Sequence, residues 1–394
     1  MVTYPSDWPV VQLGTKCEVT SSKRVFESEW TTAGIPFFRT RDVVSLLSGE
    51  PQKDRLFISE KTYANKIASS GEPQKGDLLV TGVGSIGLPY LIQTDQKMYF
   101  KDGNILWFKR SDSFYPKFLY LLFLSKNVQQ QISDMSGFTT VGTFTIKNAK
   151  LLTVPLPPLP EQEAIAEAIT AFDTHIENLS ALIDKKRAVR DGALEDLVNG
   201  KMILNGLCGR WMEKPLCQFA SYRTERATTE RRFYVSTENM RQNFLGIVPY
   251  HDMTVAYGMA FDVGDILLGN IRPYLKKIWF ADFSGSCSAD VLVIRALENC
   301  IPQFLYYLLA NDKFIGYIMA GGVKGIKMPR GDKEYIMKYS VLLPDNTDDQ
   351  KAIASGLYAM DEEITALEAE RDKYAQLREG VMDDLLTGRV RLNV

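Results

Sequence analysis

Glu161-Gln162-Glu163-Ala164-Ile165-Ala166 and Asp349-Gln350-Lys351-Ala352-Ile353-Ala354 open two segments, 161–204 and 349–392, that align without a gap at a spacing of 188 residues. About 17 of the 44 positions are identical, among them Asp184/Asp372, Lys185/Lys373, Gly192/Gly380 and Gly200/Gly388. A self-match of this length is the signature of an internal repeat. Upstream the match is looser but keeps its order. Lys75-Gly76-Asp77-Leu78-Leu79 mirrors Val263-Gly264-Asp265-Ile266-Leu267, and Pro116-Lys117-Phe118-Leu119-Tyr120 mirrors Pro302-Gln303-Phe304-Leu305-Tyr306. Trp8 and Leu13 correspond to Trp211 and Leu216 at a spacing of 203, so the first copy carries about 15 extra residues near its front. The chain therefore reads as two copies of one unit, a variable globular part followed by a helix.

Both matched segments carry helix signals. Each runs about 39 residues without proline, the first opening after Pro160 and the second at a capping box, Thr347-x-x-Gln350; they close at Gly200 and Gly388. Apolar residues fall at alternating three-four spacing: Ile165, Ile169, Phe172, Ile176, Leu179 and Ile183 in the first, Ile353, Leu357, Met360, Ile364 and Leu367 in the second. Polar breaks come at Lys186 and Arg190, and at Arg371 and Arg378. Such a heptad pattern calls for a partner helix. The plainer alternative is that each helix packs on its own globular part, but matched length and register favour pairing with each other. At 1.5 Å per residue the rod would be about 58 Å long.

The expected class is α+β, with mixed α/β domains over 1–155 and 205–347 and long helices over 156–204 and 348–394. The 394 residues include 45% hydrophobic and 24% charged side chains, enough for real cores. The longest apolar stretch, near Phe118 to Leu124, is far short of a membrane span, and the first ten residues lack a signal-peptide pattern. Cys17, Cys208, Cys217, Cys287 and Cys300 form an odd, scattered set with no C-x-x-C, which reads as reduced core thiols in a cytoplasmic protein. The net charge of −2 is unevenly spread: +4 over 1–155, −4 over 156–204, +3 over 205–347 and −5 over 348–394. Basic globular parts joined by acidic helices suit a protein that touches phosphate with its domains and offers its helices to protein partners. Arg223, Arg226, Arg231 and Arg232 form one basic cluster.

Enzyme motifs fail on context. Gly82-Val83-Gly84-Ser85-Ile86-Gly87 matches a dinucleotide fingerprint, but Pro89 and a β-type run follow where a helix must start, and the second copy keeps only Gly269. Asn270-Ile271-Arg272-Pro273-Tyr274 is a poor match to the adenine-methyltransferase signature. There is no phosphate-binding P-loop sequence, and His175 and His251 stand in no metal-ligand spacing. His175 reads as a rod-surface residue, and Asp361-Glu362-Glu363 as solvated charge. No cofactor or metal is expected, and the chain reads as non-catalytic.

At the junction Pro155-Leu156-Pro157-Pro158-Leu159-Pro160-Glu161-Gln162, running into Ala164-Ile165-Ala166, the chain resembles the specificity subunit of type I restriction-modification enzymes. The second junction keeps Gln350 and Ala352-Ile353-Ala354 but loses the proline run. The resemblance covers the whole chain, from Trp8 to the Gly388-Arg389-Val390-Arg391-Leu392 end. It implies two target-recognition domains, each reading half of a split site in double-stranded DNA, held apart by an antiparallel coiled coil. It implies as partners two methyltransferase subunits, which bind S-adenosylmethionine, and ATP-dependent translocase/restriction subunits. A duplicated chain paired through antiparallel helices would present its two reading domains in inverted order, about one helical turn of DNA apart. The rival reading is a non-catalytic coiled-coil scaffold with two protein- or ligand-binding domains.

Base reading needs arginine, lysine or amide groups on exposed loops. The candidates for DNA contact in the first domain are Arg39, Arg41, Ser85, Thr139, Thr140 and Lys147. In the second they are Arg272, Tyr274, Lys276, Lys277, Lys324, Lys327 and Arg330.

Overall fold

The computed structural model describes residues 3–48, 54–136, 142–199, 201, 210–321 and 329–392. Thr139, Thr140, Lys324 and Lys327, four of the candidates, lie outside the described residues. By contact the chain falls into two compact units, 1–178 with 370–394, and 179–369.

In the first unit the elements run β1 (Val10–Gln12), β2 (Val19–Thr20), β3 (Trp30–Thr31), β4 (Ile35–Phe38), α1 (Thr40–Ser48), β5 (Leu56–Ile58) and α2 (Glu60–Ser70). Then come β6 (Leu78–Thr81), β7 (Pro89–Leu91), β8 (Tyr99–Phe100), β9 (Ile105–Phe108), α3 (Pro116–Leu124), α4 (Lys126–Ser136), α5 (Ile146–Leu151) and β10 (Thr153–Pro155). Helix α6 (Leu159–Val198) follows, its first half in this unit.

The second globular part holds β11 (Trp211–Pro215), β12 (Ala220–Tyr222), β13 (Arg226–Glu230), β14 (Tyr234–Val235), β15 (Val255–Phe261), β16 (Ile266–Gly269) and β17 (Ile278–Phe280). It continues with β18 (Gly285–Cys287), β19 (Val291–Ala296), α7 (Pro302–Leu309), α8 (Asp312–Gly321), α9 (Lys333–Met337) and β20 (Ser340–Pro344), and ends in α10 (Thr347–Thr387). The repeat is thus visible as a repeat of elements. Inner sheet β2-β9-β6-β7 matches β12-β19-β16-β17, the pair β1-β10 matches β11-β20, and α3, α4 and α5 match α7, α8 and α9.

Each inner sheet is covered on both faces, which is why its strands read as unbroken apolar runs. The two-residue period divides them: Leu78, Val80, Leu106 and Phe108 face a core shared with α3 and α6, while Leu79, Ile105 and Trp107 face a second cluster. In the other unit Ile266, Leu268, Leu292 and Ile294 face the helices, and Leu267, Val291 and Val293 the far side. The apolar blocks after Pro116 and Pro302 form α3 and α7 as expected, with proline in the first turn. Helices α1, α2, α4 and α8 carry no such signal and were not anticipated.

The retained glutamines turn out to be clips. Gln162 accepts from the Tyr115 N–H (2.9 Å) and donates to the Ser113 (3.0 Å) and Pro157 (2.8 Å) carbonyls. Gln350 accepts from the Ile301 N–H (2.9 Å) and donates to the Asn299 (3.3 Å) and Pro344 (3.0 Å) carbonyls. Each ties the start of a long helix to the loop that opens α3 or α7. This corrects the expected capping box: Gln350 faces the domain, and Asn346 caps α10 by accepting from the Asp348 N–H at 2.8 Å.

Within each unit the long helices pack antiparallel. In the first, Arg378 reaches Asp173 (2.9 Å), and Tyr374 stacks edge-on against His175 with ring centres 4.2 Å apart. In the second, Arg190 reaches Asp361 (2.9 Å), Lys186 reaches Glu363 (2.7 Å), and Arg187 pairs with Glu368. Three of the polar breaks in the heptads, Lys186, Arg190 and Arg378, are therefore cross-helix ion pairs, whereas Arg371 pairs with its neighbour Asp372 at 2.7 Å. Asp361 is not simply solvated, since it also accepts from the Tyr307 hydroxyl at 2.7 Å. Ile165 and Ile169 are buried in the first domain's core along with Met382 and Leu385 of α10. Ile353 and Leu357 are buried in the second domain's core beside Leu194 and Leu197 of α6. Leu179, Ile183 and Ile364 are buried, whereas Phe172, Ile176, Met360 and Leu367 are half-buried. Arg391, beyond α10, closes the first unit by pairing with Glu161 and with Asp7 (3.1 Å).

Candidate nucleic-acid interface

In the first domain three loops converge on one cleft of about 590 Å3: the start of α1, the β6–β7 loop and the β8–β9 turn. Its lining includes Arg39, Arg41 and Ser85, three of the candidates, together with Lys101 and Asn104, which the sequence reading missed. Gly82 anchors the β6–β7 loop. Its N–H donates to the Asn104 carbonyl (2.8 Å), its carbonyl accepts from the Phe144 N–H (2.9 Å), and a Cβ there would lie 2.6 Å from Leu106. Gly84, at φ +71, forms the open tip beside the exposed Ser85. The Lys101 N–H donates to the Phe38 carbonyl (2.9 Å), which holds the β8–β9 turn beside α1.

The two arginines differ. Arg39 grips Asp42 through Nε (2.8 Å) and donates to the Asp54 carbonyl (3.0 Å), with its side chain 18% exposed, so it fastens the start of α1. Arg41 is 62% exposed and meets Asp42 only at 3.7 Å. Among the described residues, the cleft lining contains no acidic side chain, and the Thr40 hydroxyl in it is buried with no hydrogen-bond partner. Three cations, Arg39, Arg41 and Lys101, share the single carboxylate of Asp42 behind the cleft, which leaves a net positive potential suited to a polyanion. Lys147 is exposed on α5.

The equivalent hairpin of the second domain, β16–β17, carries Arg272, Tyr274, Lys276 and Lys277. Arg272 (φ +52) and Lys276 (φ +54) both sit in the left-handed region, strain of about 1–2 kcal/mol each that the surrounding structure must hold. A second left-handed pair, Asn243 and Phe244, does so by donating to the Leu275 (3.1 Å) and Lys276 (2.9 Å) carbonyls. Arg272 and Tyr274 project to solvent. Lys276 and Lys277 do not stand free as expected: Lys276 pairs with Asp312 at 2.7 Å, and Lys277 donates to the Thr237 carbonyl. Turning the chain through two strained residues in this loop requires those internal tethers. The nearby cleft of about 640 Å3 mixes Lys276, Lys313 and Arg190 with Asp191, Glu195 and Asp312, so its charge is largely cancelled.

Arg330 bridges to Ile271 by backbone pairing and holds Asp290 at 3.1 Å while remaining exposed. In the arginine cluster, Arg223 is bound by Glu225 (2.6 Å) and Asp262 (3.0 Å), and Arg232 by Glu230 (2.7 Å); Arg226 lies 5.8 Å from the Tyr257 ring centre. Burial pushes the thiols of Cys17, Cys287 and Cys300 up to about 12, so they are inert core groups, but Cys217 is exposed and is not a core thiol. Among the described residues no three His, Cys, Asp or Glu side chains gather as a metal site, and no helix is long and apolar enough to cross a membrane.

Known proteins share this architecture. Residues 5–185 match the family model described as a type I restriction modification DNA specificity domain. The type I restriction enzyme MjaVIII specificity subunit of Methanocaldococcus jannaschii is 20% identical, over 98% of this chain and 94% of its own length. A Haemophilus influenzae relative is 26% identical over 167 residues, 42% of this chain and 40% of that protein. The crystal structure of a type I restriction-modification S subunit from M. genitalium superposes with a TM-score of 0.56 at 16% identity, covering 96% of both chains, which shows a common fold. With the domain model over residues 5–185, a relative aligned along nearly its whole length and a shared fold, the chain carries a type I restriction modification DNA specificity domain and is similar along its length to type I restriction-enzyme specificity subunits.

Proposed function

We propose that this specificity subunit reads a split site in double-stranded DNA, one half per globular domain, and leaves catalysis to its partners. The observation that carries this is the pair of equivalent hairpin loops, β6–β7 and β16–β17. Each springs from the same inner-sheet position, yet the two present different side chains: Ser85 beside Arg41 in one, Arg272 and Tyr274 in the other. One scaffold with two dissimilar reading loops is what a bipartite target requires. The contacts are assigned to Arg41, Ser85 and Lys147 in the first domain and to Arg272, Tyr274 and Arg330 in the second. Arg39, Lys276 and Lys277 support these loops from within.

The acidic helices serve as the docking face for two methyltransferase subunits, which bring S-adenosylmethionine, and for ATP-driven translocase/restriction subunits. The subunit works in the cytoplasm, on the cell's own and on incoming DNA. The test is long-read methylation sequencing of a methylation-free host expressing this chain with its methyltransferase, beside a host lacking the chain. A split motif with one modified adenine per strand, present only with the chain, is expected. A stable complex that marks no motif would overturn the reading.

A further inference from the structure

The cleft of the first domain is built differently from an ordinary phosphate-binding surface, and its donors fall into two chemical kinds. Lys101 is exposed, and no ion pair holds it among the described residues. Arg41 is a planar fork on the first turn of α1, its carbonyl fixed by the Ser45 hydroxyl at 3.0 Å. Asn104 is held from both backbone sides, its N–H donating to the Asp102 carbonyl (2.8 Å) and its carbonyl accepting from Gly82 (2.8 Å), while its carboxamide has no hydrogen bond among the described residues. All three line the same space as the unpartnered Thr40 hydroxyl.

These differences decide what each can recognise. A phosphate offers acceptors only, so a lysine point charge answers it fully, while half of a carboxamide is unused there. A base edge in the major groove offers fixed donor and acceptor patterns: an arginine fork matches the two acceptors of guanine, and a carboxamide the acceptor–donor pair of adenine. A side chain on a braced backbone holds such geometry, and the first residues of a helix are well placed to meet base edges. Resting on the reading of the chain as the DNA-recognition subunit, we propose that Arg41 and Asn104 determine the sequence of the first half-site by reading base edges, while Lys101 holds a backbone phosphate beside them.

The experiment uses the assembled subunit–methyltransferase complex with Arg41→Ala, Asn104→Ala and Lys101→Ala, scored by methylation sequencing and by binding to duplexes carrying single substitutions. Arg41→Ala and Asn104→Ala should each relax one position of one half of the motif, with discrimination there falling about ten- to a hundredfold, and leave the other half unchanged. Lys101→Ala should keep the motif, weaken binding to every duplex alike and lower the slope of log affinity against log salt by about one. If an alanine variant fails to assemble, Arg41→Lys and Asn104→Gln, which preserve charge or amide chemistry, must still alter discrimination. A wild-type motif that none of these variants changes overturns the assignment alone; a wild-type complex that marks no split motif overturns the proposed function and this assignment with it.

Discussion

Asp77 in the first domain and Asp265 in the second stand at the same repeat position, buried at the start of the same inner strand, yet they are satisfied in different ways. Asp77 accepts from the Trp107 indole (2.8 Å) and from the backbone N–H groups of Gln74 (2.9 Å) and Arg110 (2.8 Å). Asp265 accepts from the Arg295 guanidinium at 2.6 and 2.8 Å and from the Asp262 N–H at 2.7 Å. Trp107 and Arg295 are equivalent in the repeat, as are Gln74 and Asp262. A buried neutral donor in one domain stands where the other has a charged one with a second carboxylate, and the strand keeps the same place in the sheet order. The lesson is that the scaffold requires a satisfied carboxylate there, not a particular partner. Divergence is freer still in the outer layer. The first domain builds it from sheet β3-β5-β4-β8 with α1 and α2, the second from β13-β15-β18-β14 with a five-pair ribbon between β13 and β15.

If the scaffold is common, damage to its common parts must be felt equally. Gln162→Ala and Gln350→Ala each strand one N–H and two carbonyls, and each should destabilise its own domain by about 2–3 kcal/mol. Denaturant unfolding read by hydrogen exchange at residues 113–116 and 299–302 checks this, and a large inequality breaks the equivalence. A smaller effect sharpens the comparison along the helices. Asp173 and Asp361 are repeat-equivalent and each pairs with the arginine of the opposite copy, but only Asp361 also holds the Tyr307 hydroxyl. Asp361→Ala should therefore cost about 1–2 kcal/mol and Asp173→Ala about half that, as measured by thermal unfolding of each variant.

The smallest effect is in acid. The guanidinium of Arg295 holds the Asp262 carboxyl below the usual carboxylate range, with Arg223 adding to it. A carboxyl depressed on folding contributes stability that is present above its unfolded pKa and lost as pH falls through its folded value. Gln74 stands at that place in the first domain and has no such dependence. Limited proteolysis from pH 5 downward should show the acid sensitivity of the second domain reduced by Asp262→Asn; an unchanged profile assigns that sensitivity to other groups.

Much of this was legible because it repeats. The spacing of 188 residues announced two units, the apolar runs Leu78-Leu79-Val80 and Ile266-Leu267-Leu268 announced short strands, and proline-free heptads announced the long helices. Local pattern suffices there, because strand alternation and helix period are properties of consecutive residues. The short helices α1, α2, α4 and α8 escaped, since each spans only 9 to 11 residues, too few turns for the helical period to stand out.

The site was legible in kind but not in membership. Arg39 and Arg41 are two residues apart and look alike in sequence, but Asp42 and the Asp54 carbonyl bind one and leave the other exposed. Lys276 looks as available as Lys101 until Asp312 is brought against it. Asn104 carries no signal at all, and becomes a candidate only because its turn is packed beside Gly82 and the start of α1. The sequence by itself determined the duplication, the helix pairing and the donors available. Which donors stay free was decided by the tertiary structure, because a charge is committed or available according to the neighbours that long-range packing supplies.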